Sequence, residues 1–206
     1  MDNVGFIERF LREIGEVSEK ISKEDVDRVI RVLYDAWREG RQVFVAGNGG
    51  SASTATHFAS DLAKFTSVDG KPRFKAYSLV DNTPLITAIT NDLGWSEVYV
   101  EQLKNLMKPG DVFVAISVHG GSGADKAGVW SQNLLKAVKY VKDNGGKVLS
   151  LVGFDGGVLR QISDASILVP INSTPHVEGF HLVLTHLICA RLRELIAESY
   201  AGRESG

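Results

Sequence analysis

The stretch VFVAGNGGSASTATHFASDLA, Val43 to Ala63, decides the fold because three patterns follow one another within it. An apolar, β-branched run ends in a glycine cluster, and a helical segment follows that carries His57 and Asp61. A glycine turn between a strand and a helix is typical of an anion site, since the free N–H groups of the helix N-terminus favour negative charge. The stretch therefore predicts a strand, a turn and a helix in an α/β protein, with a ligand expected at the turn.

The rest of the chain repeats the alternation of strands and helices. Further β-rich runs read KAYSLV, DVFVAISV, KVLSLVG and SILVPI. Between and after them, helical patterns predict helices at about 50–64, 96–107, 131–143, 157–162 and 174–200. Such alternation is typical of βαβ units, so we expect a three-layer, doubly wound, flavodoxin-like α/β fold with a five-stranded parallel sheet.

Two helices are predicted before the first strand. Apolar residues at helical spacing give the first helix one apolar face, and Ser22, Asp25 and Gly40 are typical start and stop residues for the second. We expect one domain over residues 1–206, with residues 1–40 in oligomer contacts and residues 41–206 as the α/β core.

Composition excludes several classes of protein. The formal net charge of −2, with dispersed lysines and arginines, does not indicate a nucleic-acid partner. The first residues mix acids and bases through the apolar positions, which indicates neither a signal peptide nor a membrane span. Cys189 is the only cysteine, so no internal disulfide can form. We expect a cytoplasmic protein without a membrane partner.

The glycine turn consists of Asn48, Gly49, Gly50 and Ser51. It lacks the lysine of a Walker loop and the third glycine of a dinucleotide fingerprint, so the expected ligand is a lone phosphate group. A second polar loop, Ala115 to Gly123, also follows an apolar strand, and neighbouring strand ends open into one crevice. A tight turn without a ligand is the alternative for the first loop. Asn91 and Asp92 could bind sugar hydroxyls, or form a plain turn.

Two pairs of ionisable residues lie on one helix face each. His57 and Asp61 are four residues apart, and Glu178 and His186 are eight apart, about two turns. If the two helices meet, these four residues could hold zinc, or act as an acid and a base without metal. Alternatively, they could be surface and core residues without a shared role.

Taken together, these motifs resemble the sugar isomerase (SIS) domain and, within it, the phosphoheptose isomerases. The segments that carry the resemblance are AGNGGSASTATHFASDL, TAITNDLGW, GDVFVAIS, LVGFDGG and HVEGFHLVLTHLICARL, and it covers nearly the whole chain. The resemblance implies a homotetramer that interconverts a ketose phosphate and an aldose phosphate through an enediol, most closely sedoheptulose 7-phosphate and D-glycero-D-manno-heptose 7-phosphate.

The resemblance also assigns residues. Ser51 and the loop that starts at Ser117 would hold the substrate phosphate. A zinc ion, where the family has one, would be held by His57, Asp61, Glu178 and His186. Asp61 is then the candidate base and His186 its partner, since a shift of a proton between adjacent carbons needs both.

The chain departs from the family pattern at several of these positions. Asp61 stands where the family has Glu, and Glu178 where it has Gln. In the serine loop, Ser117, Val118, His119 and Gly120 match the first four positions, with His119 in place of a serine. For the closing serine we favour Ser131 and keep Ser122 as the alternative, because residues 121–130 resemble an insertion.

Other functions remain open from the sequence. The chain could isomerise another phosphosugar, bind a replication initiator protein without catalysis, or sense a sugar phosphate. Asp61 and His186 argue against the two functions without catalysis, which need neither an acid nor a base.

Overall fold

The computed structural model describes residues 2–121 and 130–201. It contains one sheet of five parallel strands in the order β2-β1-β3-β4-β5. The strands are β1 (Gln42–Gly47), β2 (Lys75–Ser78), β3 (Val112–Ser117), β4 (Lys147–Gly153) and β5 (Ala165–Val169). The predicted flavodoxin-like topology is confirmed, and the order of strands reverses between β1 and β3, which is where such sheets bind ligands.

Helices cover both faces of the sheet. They are α1 (Asn3–Lys20), α2 (Lys23–Arg38), α3 (Gly50–Ser60), α4 (Thr83–Leu93), α5 (Val98–Leu106), α6 (Gln132–Asp143), α7 (Gly157–Ile162) and α8 (Thr174–Ala201). A π-helical turn, Asp61–Phe65, continues α3, and a short 3₁₀ turn, Trp95–Glu97, precedes α5. No helix of the described ranges is long and apolar enough to cross a membrane.

Helix α4 was not predicted. The side chain of Asn82 accepts a hydrogen bond from the Leu85 N–H, and Pro84 lies in the first turn, so the helix begins with ordinary start signals. Asn91 and Asp92 therefore lie in its last turn, and the alternative that they form a plain turn is wrong. The turn comes later, at Gly94, whose φ of +92° suits a residue without Cβ.

Alternate residues of the central strands face opposite cores. Val43 and Val45 of β1 pack in one cluster with α2, α3 and α8, whereas Phe44 and Ala46 pack in the other with α5 and α6. This two-residue period follows from the pleat of a strand, and strands buried on both faces read as continuous apolar runs. The carboxyl ends of the strands are therefore held in place between two packed layers of helices.

The N-terminal helices differ in how they pack. Helix α2 begins at the predicted Ser22 cap, which accepts a hydrogen bond from the Asp25 N–H at 3.1 Å, and its apolar face is buried. Helix α1 buries Val17, and the ring of Phe10 stacks on His176 at the start of α8. Much of its apolar face stays exposed, with values from 37% to 62% at Val4, Phe6, Ile7, Leu11 and Ile14.

Candidate functional site

The glycine turn joins β1 to α3 as predicted. Gly49 has a φ of +58°, and the Ser51 N–H donates to the Asn48 carbonyl at 3.1 Å. A Cβ atom at Gly47 would lie 2.5 Å from the backbone oxygen of Ser51, so only glycine fits there. The side chain of Ser51 is buried at the first turn of α3, where free N–H groups favour an anion.

A buried hydrogen-bond network that the sequence did not indicate fixes this turn. Asn48 and Asn133 exchange two side-chain hydrogen bonds of 3.0 and 2.8 Å. The Tyr99 hydroxyl donates to the Gly47 carbonyl at 2.5 Å, and burial raises the pKa of Tyr99, which keeps the hydroxyl protonated. Asn133 and Tyr99 lie on α6 and α5, so only the folded chain brings them to the turn.

The serine loop after β3 meets the glycine turn. The Ser117 hydroxyl accepts a hydrogen bond from the Gly120 N–H at 3.1 Å, and the His119 ring packs against Phe154 and Trp130. A cavity of about 150 Å³ opens between the two loops. Its lining residues are Asn48, Ser51, Ile116, Ser117, Val118, His119, Trp130, Ser131 and Glu178.

Of the two alternatives for the closing serine, Ser131 lines this cavity. It precedes α6 with a φ of +56°, a conformation that is uncommon outside glycine. Ser122 lies outside the described residues, so the choice of Ser131 remains a prediction that its position supports.

Glu178 lies against the glycine turn. A Cβ atom at Gly50 would be 2.4 Å from the Glu178 Oε1 atom, which places the carboxylate beside the N-terminus of α3. A negative charge is favourable there because of the helix dipole. Glu178 is therefore part of the cavity at Ser51.

The predicted acid and base meet where α3 packs on α8. Asp61 Oδ2 lies 3.3 Å from His57 Nε2 and 3.1 Å from His186 Nδ1. Asp61 begins the π-helical turn, a feature that is frequent at functional sites. The thiol of Cys189 is buried nearby, and burial, assisted by the charge of Asp61, raises its pKa. This cysteine is therefore a neutral core residue.

Three of the four predicted zinc ligands come together. One atom each of His57, Asp61 and His186 lies within 4.8 Å of the others. Two imidazoles and a carboxylate fit the donor set of a catalytic zinc site, which keeps one position for substrate or water. Glu178 does not join this group, because a separation of eight residues puts it about 12 Å from His186 along the helix axis.

Asn91 and Asp92 do not join either cluster. They are exposed on α4, and the Asn91 amide donates to the Asp92 carboxylate at 2.8 Å. Neither residue lines the cavity at Ser51. Their predicted contact with sugar hydroxyls gains no support from the single chain.

Comparisons with known proteins identify the family of this chain. Residues 6–153 match the SIS domain family. The chain is 37% identical to the lincomycin biosynthesis protein LmbN of Streptomyces lincolnensis, over 90% of this chain and 68% of the relative. It is 35% identical to a phosphoheptose isomerase of Helicobacter pylori, over 86% of this chain and 88% of the relative.

A solved structure extends the likeness to three dimensions. The phosphoheptose isomerase GmhA of Neisseria gonorrhoeae superposes with a TM-score of 0.82 at 27% identity. The alignment covers 94% of this chain and 100% of that chain. The chain therefore belongs to the SIS-domain family, in its phosphoheptose isomerase branch.

Proposed function

We propose that this protein is an aldose–ketose isomerase that converts sedoheptulose 7-phosphate to D-glycero-D-manno-heptose 7-phosphate through an enediol. The observation that carries the proposal is the contact of 3.1 Å between Asp61 and His186, on two helices that also border the cavity at Ser51. An acid and a base close to an anion cavity are what a proton shift in a phosphorylated sugar requires.

The phosphate is assigned to the cavity between the two loops. The donors assigned to it are the backbone N–H groups of Asn48, Gly49 and Gly50 and the hydroxyls of Ser51, Ser117 and Ser131. Val118 and His119 line the same cavity, and Ser122 is the alternative to Ser131. Binding energy at the phosphate holds the reacting carbons in register, which is how a remote group contributes to catalysis.

Asp61 and His186 move the proton. The Asp61 carboxylate removes the proton from C1, next to the C2 carbonyl of the ketose. The proton is then returned to C2, and the carbonyl group of the aldose forms at C1. His186, in contact with Asp61, donates a proton to the C2 oxygen as the enediol forms and takes the proton of the C1 hydroxyl as the aldehyde forms. His57 contacts the same Asp61 oxygen at 3.3 Å and helps to hold the carboxylate in place.

The same three residues, His57, Asp61 and His186, are proposed to hold zinc. When bound, the metal would supply Lewis-acid polarisation of the carbonyl group. Zinc content measured by mass spectrometry, before and after chelation, tests this assignment. We expect His57→Ala to lower the zinc content, with Glu194→Gln, an exposed acid farther along α8, as the control that leaves it unchanged.

The decisive experiment for the function is a turnover assay. Purified protein is incubated with sedoheptulose 7-phosphate, and formation of the aldose is followed by chromatography. The proposal predicts turnover in the unaltered protein and its loss in Asp61→Asn and His186→Ala. Activity that survives both substitutions would contradict the mechanism, and phosphosugar binding without turnover would favour a sensor.

Similarity to the lincomycin biosynthesis protein favours a second candidate, an isomerase for another phosphosugar. That relative is as similar to this chain as the phosphoheptose isomerases are. Pentose, hexose and heptose phosphates in parallel assays would separate the two candidates by their kcat/KM values.

A homotetramer is proposed as the working assembly. The apolar residues Val4, Ile7 and Leu11 on α1 are more than half exposed, and so is Val183 on α8. Apolar surface of this kind commonly marks a protein contact. A cytoplasmic location is also proposed, since the chain has a single, buried cysteine.

Light scattering tests the assembly. Leu11→Lys places a charge on the exposed apolar face of α1 and is expected to reduce the molar mass to that of a smaller species. Glu16→Lys puts the same side chain on an exposed polar position of α1 and should leave the mass unchanged. An unchanged mass in both variants would exclude α1 from the interface.

A further inference from the structure

The cavity at Ser51 contains two residues that can carry opposite charges. Among the described residues that line it, these are His119 and Glu178, and the others are uncharged. Glu178 reaches the cavity from α8, and His119 from the loop after β3. Of the side chains that the structure describes around the cavity, a phosphate that enters therefore meets one acidic and one basic group.

Glu178 is an obstacle for such a phosphate. Its carboxylate lies beside Gly50, at the helix N-terminus where an anion would bind. A phosphate monoester carries close to two negative charges at neutral pH, and like charges repel most strongly where water is excluded. A further hydrogen-bond donor that can carry a positive charge would therefore strengthen phosphate binding.

The His119 ring is held between two aromatic side chains at the cavity. Its ring centroid lies 4.3 Å from that of Phe154 and 4.9 Å from that of Trp130. The loop is also locked by its backbone, because a Cβ at Gly120 would lie 1.9 Å from the Gly156 carbonyl oxygen. His119 therefore lines the cavity from a loop that packing holds in position.

Backbone strain is concentrated at the same place. Within residues 2–121 and 130–201, the two non-glycine residues with positive φ are Ser131 (+56°) and Phe154 (+54°). Ser131 lines the cavity, and Phe154 packs on the His119 ring. Strain of this kind persists where the surrounding structure enforces it and is common around ligand sites.

We propose that His119 binds the substrate phosphate and offsets the charge of Glu178, so that the two residues together determine the affinity for a phosphate monoester. The inference rests on the proposed function, which assigns the phosphate to this cavity. The imidazole donates a hydrogen bond to a phosphate oxygen while the Glu178 carboxylate opposes binding. The two substitutions are then expected to compensate one another.

Isothermal titration with inorganic phosphate tests the pair. His119→Phe keeps a ring between Trp130 and Phe154 but has no donor, and a lost charge-assisted hydrogen bond should raise the Kd about tenfold or more. Glu178→Gln removes the repulsion and should lower the Kd about threefold or more. The double variant should return to within about threefold of the unaltered protein.

Glu194→Gln, which removes an exposed charge farther along α8, is the matched control and should leave the Kd unchanged. Thermal unfolding verifies that each variant is folded. An unchanged Kd in His119→Phe would overturn the proposal and leave the ring a packing role alone. Weaker phosphate binding in Glu178→Gln would overturn it as well, because the carboxylate would then assist binding.

The turnover assay separates this inference from the proposed function. If the unaltered protein does not isomerise sedoheptulose 7-phosphate but the phosphate affinities change as expected, the function fails and the charge pair stands. If turnover occurs and the affinities do not change, the function stands and the charge pair fails.

Discussion

The two ends of the candidate site differ in how they are built. What we call the phosphate end consists of residues that are buried or half-buried: Asn48, Ser51, Ser117 and Asn133. What we call the acid–base end consists of His57, Asp61 and His186. At the phosphate end, glycine contacts and partly buried hydrogen bonds fix the backbone. At the acid–base end, the side chains of His57 and His186 are 43% and 53% exposed. One end is built from backbone and the other from side chains on a helix surface.

This difference shows how the two tasks constrain the chain. A phosphate can be held by N–H groups that the fold positions without any mobile part. Proton transfer needs ionisable groups, and these remain accessible to the substrate. We therefore expect substitutions at the acid–base end to lower kcat, and those at the phosphate end to affect stability and KM.

The largest effect is expected at the acid–base end. Asp61→Asn should lower kcat by about a thousandfold or more, since a general base contributes that order of rate. The Kd for inorganic phosphate should not change, because Asp61 does not line the cavity at Ser51. Asp69→Asn, an exposed acid beyond the same helix, is the control for both measurements. Equal losses of kcat and phosphate affinity would show that the two ends do not have separate roles.

A methyl group at Gly47 tests the phosphate end. Gly47→Ala should lower the free energy of unfolding by about 3 kcal/mol, because the Cβ cannot fit against the backbone of Ser51. Urea unfolding measures this loss, and steady-state kinetics should show a raised KM.

Gly15→Ala on α1 is the matched control for Gly47→Ala. Nothing lies within 4 Å of its added Cβ, so stability should rise by about 0.5 to 1 kcal/mol, as expected for a helical glycine. Equal effects of the two substitutions would show that the turn is not tightly packed.

Helix α8 carries Glu178 of the cavity and His186 of the acid–base end, and His181 between them is buried in the core. Burial lowers the pKa of His181 to about 4, and the backbone of Val152 opposes the shift. The unfolded chain binds a proton near pH 6.5 that the folded chain does not accept until about pH 4. Stability is therefore complete above pH 6.5 and declines as the pH falls from there to 4.

Between pH 7.5 and 5, His181 should cost about 2 kcal/mol of the free energy of unfolding. Urea unfolding gives the change in the free energy of unfolding between the two pH values, for the unaltered protein and for His181→Leu. The difference between these two changes is the contribution of His181. A variant with the same pH dependence as the unaltered protein would assign the acid sensitivity to other groups.

The smallest effect is expected for Tyr99→Phe. It removes the hydroxyl that donates to the Gly47 carbonyl, at a cost of about 1 kcal/mol of stability. A modest rise of KM with an unchanged kcat would show that the turn affects substrate binding and not proton transfer. A fall in kcat alone would show that the turn is coupled to proton transfer.

Much of the fold was predictable because its signals are local. Apolar runs gave all five strands, and Ser22 and Gly40 marked the ends of α2. Helix α4 was missed although Asn82 and Pro84 signal its start, because its apolar run was not recognised as helical. The last-turn residues Asn91 and Asp92 were then left without a structural context.

The site was predictable only where one helix or one turn determines it. The spacing of His57 and Asp61 implies a shared helix face, and the two side chains are indeed in contact. For Glu178 and His186 a shared face does not fix a shared site, since it says nothing about height along the helix axis. Glu178 reaches Gly50 instead, two turns away from the acid–base end.

By itself, the sequence determined the parallel sheet, the glycine turn at Gly47 to Ser51 and the residue types of His57 and Asp61 on one helix face, because periodicity and turn chemistry act over a few residues. Only the tertiary structure decided that Asn133 and Tyr99 hold the turn, that His119 and Glu178 share one cavity, and that His186 meets Asp61. Contacts between segments far apart in the chain depend on how the helices pack on the sheet, which no local pattern specifies.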